Sequence, residues 1–417
     1  MWARKVPERG KTVAYNGHAF KRLMILNIIT HLGPISRTEL IDLTDYRPAT
    51  ISDLIKELLD EELIAETGYS SVGHGRKRTM LEIRKDRLRA IGIAFTSDSV
   101  SYVVSGIDGE IFHRQGRKIS PEDSREALVG AIAGDIRNLL DGMQDKFVAG
   151  IGISEPLFDP TGYRRDSSLF ANYSHFNDWI RLCLKPQLET LSGLTVECYS
   201  AVTMPAMAER RFGLGRGVEN FICVELSNGI GSSICCNGIP VGGSQGAAGE
   251  LGHTVVERHG GQLCYCGKPD CVEAYTAFPA LVASLRQALN QGVFSALDPE
   301  KPITATAIAK ALEEGDRLCM HHVRQVAHRL GLAIANAVNL LNPELVILHG
   351  FMVELGDWFL DHLERAIREN TLITASGFRL QVSDELEELL PLGAVAEIFS
   401  DYLRSDDYKW VYQLKKL

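Results

Sequence analysis

The chain has 417 residues, of which 45% are hydrophobic and 23% charged, as in a soluble globular protein of two or three domains. No apolar run is long enough for a membrane span, and the basic start leads into no signal-peptide core, so we expect a cytoplasmic protein without membrane contact. Nine cysteines, an odd number, favour a reducing compartment. The net charge of −9 divides into +4 over residues 1–89 and −13 over the remainder, which is typical of a DNA-reading head on an acidic body.

The first 61 residues predict three helices. Residues 17–31 place apolar side chains at helical spacing, and Gly33-Pro34 ends that helix. Ser36 and Glu39 form a capping box that opens the short helix RTELIDLT. A third helix is expected over residues 49–61. The tight turn between the second and third helices predicts a helix-turn-helix, whose third helix enters the major groove of double-stranded DNA.

The segment LIAETGYSSVGHGRKRTMLEI then predicts a strand, a glycine-rich basic loop and a second strand. Such a loop forms a wing that binds phosphates or reaches into the minor groove. Candidate DNA contacts are Arg47, Thr50, Ser52, Asp53 and Lys56 near or on the third helix, and His74, Arg76, Lys77 and Arg78 on the wing. Arg47 has the geometry to donate two hydrogen bonds to a guanine, and Thr50 and Ser52 suit phosphate or mixed contacts. Three-helix units with basic loops also occur in protein-interaction modules.

From about Arg89 the pattern changes to strands that alternate with helices. Strands are expected at LRAIGIAFT, SVSYVVSGI, GEIFHRQGRKI, FVAGIGISE, GVENFICVELS, GSSICCNGI and NPELVILHG. Helices are expected over residues 124–143 and 357–369, and an amphipathic helix over residues 393–404 is expected to pack on the first lobe. This alternation predicts layered α/β architecture.

A cysteine cluster near the middle of the chain has the spacing of a metal site. His253 precedes Cys264, Cys266 and Cys271, and three thiolates with one imidazole are the ligand set of a closed, structural, tetrahedral zinc site. The alternative is a group of buried free cysteines with a core histidine. Glu250 and Glu273 lie on either side of the cluster in the sequence, so we expect acidic groups beside the metal.

The motifs GELGH and CYCGKPDCVE resemble the signature of the ROK family, which comprises repressors, uncharacterised reading frames and sugar kinases. Asp270 stands where the family pattern has glycine. With the predicted head, the chain resembles the repressor branch of the family. The resemblance implies two ribonuclease-H-like lobes of the sugar-kinase and actin type, with a ligand cleft between them. The implied domains are a winged helix-turn-helix at 1–85, a first lobe at 86–197 completed by 392–417, and a second lobe with the zinc knuckle at 198–391.

The resemblance also implies where a kinase of this family would carry its catalytic parts. Residues 94–97 (Ala-Phe-Thr-Ser) replace the first phosphate loop, and Ala201 replaces the catalytic aspartate, so no group there can accept the sugar proton. Only part of the second phosphate loop survives at 227–231, and of the adenosine-side glycines at 349–351. We therefore expect no kinase activity. A sugar kinase with a DNA-binding head stays open as the alternative.

The sugar-binding groups implied by the resemblance are better kept. They are Asn172, Glu250, His253 and Glu273, with Trp179 beside the cleft. His253 would either ligate zinc or contact sugar through its other ring nitrogen. Ala201 removes one acceptor for sugar hydroxyls, so the effector is a sugar, a phosphosugar or, alternatively, a protein partner. We expect a repressor of carbohydrate uptake or catabolism genes that acts as a homodimer or tetramer.

Overall fold

The computed structural model describes most of the chain, and the described residues are 17–70, 78–95, 99–119, 124–155, 183–244, 246–258, 261–383 and 386–403. Contacts divide the chain into two compact units. The first takes the described residues of Met1–Ile153, Arg181–Cys198 and Ala394–Leu417, and the second takes those of Ser154–Ile180 and Tyr199–Gly393. Among these described residues, no helix has both the length and the apolar character needed to cross a membrane.

The head begins the first unit with three helices and a small sheet. Its elements are α1 (His18–Leu32), β1 (Ile35–Ser36), α2 (Arg37–Thr44), α3 (Pro48–Asp60), β2 (Ile64–Ser70) and β3 (Arg78–Ile83). The strands pair in the order β1-β3-β2, and both pairings are antiparallel. Helix, helix-turn-helix and two-stranded wing therefore follow in the predicted order, with the tip of the wing (71–77) outside the described residues.

The capping box at the start of α2 is present in full. The Glu39 backbone N–H donates to Ser36 Oγ at 3.3 Å, and the Ser36 N–H donates to Glu39 Oε2 at 2.8 Å. This exchange gives an acceptor to two backbone N–H groups at the start of α2 that have no partner within the helix. It also fixes the direction in which the chain leaves β1 and enters the helix-turn-helix.

The head core is built by one face of each long helix. On α3 the buried residues are Ile51, Leu54, Ile55 and Leu58, at the i, i+3, i+4, i+7 spacing of a helix with a single apolar face. They pack with buried side chains of α1 and the sheet, which include Ile25, Leu26, Ile28, Ile29 and Leu81. The opposite face of α3 is consequently left to solvent.

The first lobe contains a five-stranded sheet. Its elements in chain order are β4 (Leu88–Phe95), β5 (Ser99–Gly106), β6 (Ile111–Lys118), α4 (Arg125–Asp141), β7 (Phe147–Glu155), α5 (Lys185–Ser192) and β8 (Val196–Ser200). The strands lie in the order β6-β5-β4-β7-β8, and β4, β5 and β6 form an antiparallel meander. Strand β4 is buried along its whole length, and apart from Arg89 its residues are apolar or glycine.

The second sheet repeats this arrangement. Its strands are β9 (Phe221–Leu226), β10 (Ile230–Cys236), β11 (Ile239–Pro240), β12 (Leu345–His349) and β13 (Arg379–Val382), in the order β11-β10-β9-β12-β13. Its first three strands are antiparallel, and β12 joins β9 and β13 in parallel. The order is thus the same as in the first sheet, counted from the start of each repeat. This duplication confirms the expected two-lobed, ribonuclease-H-like α/β fold.

Helices cover both faces of the second sheet. They are α6 (Met204–Arg211), α7 (Val272–Thr276), α8 (Phe278–Asn290), α9 (Ala305–Glu313), α10 (Arg317–Leu341) and α11 (Asp357–Asn370). Helix α10, with 25 residues the longest of these, packs against α11. A Cβ at Gly331 would lie 2.4 Å from the Ala366 Cβ, so the two helices approach too closely for any other residue there.

The C-terminal helix α12 (Leu386–Leu403) packs in the first unit through its second half. A Cβ at Gly152 of β7 would lie 2.5 Å from the carbonyl oxygen of Ala394, so strand and helix are in direct contact. Farther along, the rings of Phe147 and Tyr402 lie 5.5 Å apart. Residues near the end of the described chain therefore complete the layer over the first sheet.

Replacement of Ser36 by alanine is predicted to increase the local opening of α2. Loss of such a cap costs about 1 kcal/mol. The Ser36 hydroxyl lowers the pKa of Glu39 below its ordinary value of 4.5, so this contribution is present above pH 4.5 and is lost as the pH falls through the lowered pKa. Hydrogen–deuterium exchange of the α2 peptide should be faster in Ser36→Ala at neutral pH. After correction for the pH dependence of intrinsic exchange, the difference from wild type should narrow as the pH falls below 4.5.

The control for the capping box is Thr38→Ala, which alters an exposed residue in the same turn. Equal protection of α2 in Ser36→Ala and wild type at neutral pH would contradict the assignment.

Candidate functional site

The predicted metal ligands converge in the second unit. The ligand atoms of His253, Cys264, Cys266 and Cys271 all lie within 4.8 Å of one another. His253 ends a short 3-10 turn that spans Leu251–His253, and Cys271 is the N-cap of α7. Cys264 and Cys266 lie in a tight turn, in which the Gly267 N–H donates to the Cys264 carbonyl at 2.9 Å. We call this segment, residues 253–273, the knuckle.

The spacing within the knuckle fits a four-coordinate metal ion. The Sγ atoms of Cys266 and Cys271 are 3.6 Å apart, and Cys264 Sγ lies 3.6 Å from Nδ1 of His253. A tetrahedral centre with metal–sulfur bonds of about 2.3 Å separates its sulfur ligands by about 3.8 Å. Burial raises the pKa of Cys264 to about 12 and also raises that of Cys271, so three thiolates need a bound cation to coexist here. The residues present could therefore hold a metal ion with little rearrangement.

His253 presents its two ring nitrogens to different neighbours. Nδ1 faces Cys264, as described, and Nε2 lies 3.1 Å from the Tyr265 hydroxyl and 3.5 Å from Glu250 Oε2. The rings of His253 and Tyr265 meet edge to face, with centroids 5.3 Å apart. The imidazole can consequently ligate a metal through Nδ1 and still donate a hydrogen bond through Nε2, which unites the two roles expected from the sequence.

Asp270 stands where the family pattern has glycine, and its backbone adopts the left-handed conformation that glycine favours. Its φ is +64°, a region that aspartate tolerates better than most other residues. Its Oδ1 accepts hydrogen bonds from the Gly261 N–H at 3.0 Å and from the Tyr275 hydroxyl at 2.7 Å. The carboxylate therefore joins the two ends of the cysteine turn to α7. The departure from the family pattern adds a clamp to the knuckle.

Glu273 connects the knuckle to the turn between β9 and β10. Its side chain is buried, and Oε2 accepts from the Ile230 backbone N–H at 2.8 Å. Burial raises the pKa of this carboxyl above its ordinary value. The turn corresponds to the second phosphate loop of the family's kinases, where backbone N–H groups bind phosphate. Here Ile230 already donates to a carboxylate, and Ser227 N–H donates to the Gly229 carbonyl at 3.1 Å.

Other positions of the kinase machinery also lack the groups for phosphoryl transfer. Ala201 lies in a turn that follows β8, and its N–H donates to the Glu155 carbonyl at 2.8 Å. Its methyl group can neither accept nor hold a proton. Phe95 ends β4 as a buried side chain, in place of the small residues that a phosphate loop needs.

The predicted DNA contacts of the third helix lie on its solvent face. Arg47 is the N-cap residue of α3, and Arg47, Ser52, Asp53 and Lys56 are exposed, while Thr50 is half-buried. On the wing, Arg78 starts β3 and is exposed. His74, Arg76 and Lys77 lie outside the described residues, as do Asn172 and Trp179 of the expected sugar site.

The sequence alone does not indicate that the hydroxyls of Tyr265 and Tyr275 form hydrogen bonds beside the cysteine cluster. Tyr265 occupies the variable position between two cysteine ligands, and Tyr275 follows α7's buried Glu273 by two residues. The sequence feature that could have pointed to them is a hydroxyl within four residues of a predicted metal ligand, because such groups commonly orient the ligands. Only the fold shows that each hydroxyl turns toward a partner.

The winged head, the duplicated sheet and the knuckle together define a known class of protein. The ROK family pattern matches residues 90–384, and the chain belongs to the ROK family. It is 28% identical over 393 residues to the xylose repressor of Caldicellulosiruptor bescii, covering 93% of this chain and 97% of that one. It is 27% identical over 380 residues to the DNA-binding transcriptional dual regulator NagC of Escherichia coli, covering 89% and 90%.

A solved structure extends the likeness to the fold of nearly the whole chain. The crystal structure of a ROK family transcriptional regulator, a homologue of the E. coli MLC protein, aligns with a TM-score of 0.76 at 23% identity. The alignment covers 93% of this chain and 97% of that chain.

Removal of one knuckle ligand is predicted to abolish tight metal binding. Changes to groups that merely orient a ligand cost roughly 10- to 100-fold in affinity, so loss of the Cys266 thiol should cost at least about 100-fold. In a cobalt(II) titration, the thiolate-to-metal absorption band of wild type should saturate at one ion per chain. Cys266→Ser should show no such band at the same cobalt concentration. Cys236→Ser, outside the cluster, is the control. An unchanged band in Cys266→Ser would remove this residue from the ligand set.

The two contributions of Asp270 can be separated by two replacements. Asp270→Ala keeps the left-handed strain and loses both hydrogen bonds, whereas Asp270→Gly loses the bonds and relieves the strain. We expect the free energy of unfolding to fall in the order wild type, glycine, alanine, with about 1–2 kcal/mol between glycine and alanine and a further loss of about 1–3 kcal/mol from wild type to glycine. Urea denaturation of the metal-loaded protein measures all three. An alanine variant as stable as wild type would show that the clamp contributes nothing, because alanine keeps the strain and loses both bonds.

Proposed function

We propose that this chain is a ROK-type transcriptional regulator that represses genes of carbohydrate uptake or catabolism in response to a sugar. The observation that carries the proposal is the helix-turn-helix itself. A complete capping box sets its geometry, and α3 leaves a polar face to solvent, on which Lys56 is exposed, with Arg47 exposed at its N-cap. The relatives named as a repressor and as a DNA-binding regulator match along 89–93% of the chain, head included.

In this proposal α3 lies in the major groove of a double-stranded operator. Arg47 reads a guanine edge, Thr50 and Ser52 contact phosphates or base edges, and Lys56 binds the backbone farther along the groove. The wing residues His74, Arg76, Lys77 and Arg78 bind phosphates or the adjacent minor groove. Since the protein acts on DNA, it works in the cytoplasm.

The effector site is formed by Asn172, Glu250, His253 and Glu273. Supporting this, Glu250 Oε2 lies 3.5 Å from His253 Nε2, and the buried Glu273 carboxyl is close enough to both for their charges to influence its pKa, which burial raises. We assign the metal as zinc, since three thiolates and an imidazole are its preferred structural ligands. All four ligands come from the protein, so the ion is structural and holds the segment that carries Glu273.

Phosphoryl transfer is absent from the proposed activity. Ala201 supplies no general base, and the turn between β9 and β10 uses the Ile230 N–H to bind Glu273. The domains are the winged head at 1–85, the first lobe at 86–197 with 392–417, and the second lobe at 198–391. Two heads in a homodimer, or in each half of a tetramer, read two half-sites. A ligand that changes their separation lowers operator affinity, because recognition helices must lie one DNA turn or a multiple apart.

The proposal is tested by fluorescence anisotropy on DNA from upstream of the protein's own gene, at fixed salt, with and without sugars and phosphosugars. We expect tight binding that one compound of the panel releases. Tight binding released by none would overturn the sugar response and favour control by a protein partner. An ATP-dependent turnover of any sugar well above background would overturn the regulator in favour of a kinase.

The same assay tests the wing. The triple variant Arg76→Ala, Lys77→Ala, Arg78→Ala should weaken binding to every DNA sequence and flatten the dependence of affinity on salt by up to about three phosphate contacts. Lys301, Lys310 and Arg365 are exposed residues of the second unit, and their triple alanine variant removes the same charge far along the sequence from the head. If only sequence preference changed in the wing variant, the wing assignment would be wrong.

A further inference from the structure

The Tyr265 hydroxyl lies among the groups that we assign to sugar binding. It is 3.1 Å from His253 Nε2. Burial raises the pKa of the neighbouring Glu273 carboxyl, and the Tyr265 hydroxyl opposes that rise. Glu250 Oε2 approaches the same nitrogen of His253 at 3.5 Å. A hydroxyl of the protein therefore contacts the His253 nitrogen that we assign to the sugar, with Glu250 and Glu273 as neighbours.

The direction of each hydrogen bond follows from the chemistry of the neighbours. His253 turns Nδ1 toward the Cys264 sulfur, so a neutral imidazole that ligates a cation there carries its proton on Nε2. Nε2–H donates to the Tyr265 oxygen, which leaves the Tyr265 O–H to donate to an acceptor such as the neighbouring Glu273 carboxylate. The site thus offers one donor and one acceptor to a single hydroxyl group.

A sugar hydroxyl makes the same pair of hydrogen bonds, accepting one and donating one. We propose that the Tyr265 hydroxyl occupies the position of a ligand hydroxyl in the free protein, and that a sugar must displace it to bind. This inference rests on the proposed effector site and names the residue that controls access to it. Tyr265 is 46% exposed, whereas Glu273 is 5% exposed, so the tyrosine side chain has solvent to move into.

The knuckle confines this motion to the side chain. Tyr265 lies between the ligands Cys264 and Cys266, so its backbone is fixed on both sides. The ring, in edge contact with His253, leaves by rotation about its side-chain bonds. Ligands that lack a hydroxyl at the contacting position cannot replace both hydrogen bonds, so the site selects polyhydroxylated compounds over their deoxy analogues.

The experiment is isothermal titration of the full-length, metal-loaded protein with D-xylose, D-glucose and N-acetyl-D-glucosamine. Tyr265→Phe keeps the ring and removes the hydroxyl that competes with the ligand. We expect its Kd for the sugar that binds to be roughly three- to tenfold lower than that of wild type, as one net hydrogen bond is worth. Tyr402→Phe is the control, because it removes a tyrosine hydroxyl from the first unit, where the ring lies beside Phe147, and its Kd should equal that of wild type.

A separate readout detects the hydroxyl itself. Long-range ¹H–¹⁵N spectra of the histidine side chains should show the Nε2 signal of His253 shifting in Tyr265→Phe without sugar, and metal content should stay at one ion per chain. Sugar binding that is weaker or unchanged in Tyr265→Phe would overturn the inference, since the tyrosine would then be a ligand contact or a bystander. Failure of every sugar to bind either protein would also overturn it. Operator binding measured in parallel shows whether the regulator function fails with it.

Discussion

The knuckle depends on four potential metal ligands, His253, Cys264, Cys266 and Cys271, whose close approach is unfavourable without a cation. Three thiols and one imidazole within 4.8 Å are stable as thiolates only around a cation. A cation bound by Cys271 would also fix the N-cap of α7, and hence the direction in which Glu273 points. In the proposed regulator, one ion would set the position of a carboxylate, of the imidazole Nε2 and of the tyrosine between two cysteines. The proposed effector site would then be a consequence of the metal site.

Much of the architecture could be predicted from local patterns. The capping box at Ser36 and Glu39 and seven strands of the two sheets depend on neighbours within a few residues. These strands were found within four residues of the expected bounds, whereas the short strands β8, β11 and β13 were not predicted. Helix α10 was not predicted. Gly331 in its interior disfavours a helix by about 1 kcal/mol relative to alanine. Glycine is required at position 331 by the close contact with Ala366 of α11, which no local sequence pattern shows.

The candidate site divides along the same line. The four ligands were predictable because soft donors at short spacing have few other uses. The clamp by Asp270 was not, since its partners Gly261 and Tyr275 are chosen by the folded turn. Tyr265 has the same history: its position was visible in the sequence, but its bond to His253 depends on how two distant turns meet. Hydrogen-bond direction is a property of the fold.

The first unit is assembled from segments that are far apart in the chain. Its sheet begins at β4, but α12, which contacts Gly152 of β7, follows the whole second unit. During synthesis the second unit can fold while the first still lacks its covering helix. The exposed apolar surface of the first sheet must then wait for the last helix, so a chain released early would carry that surface uncovered and would be prone to aggregation.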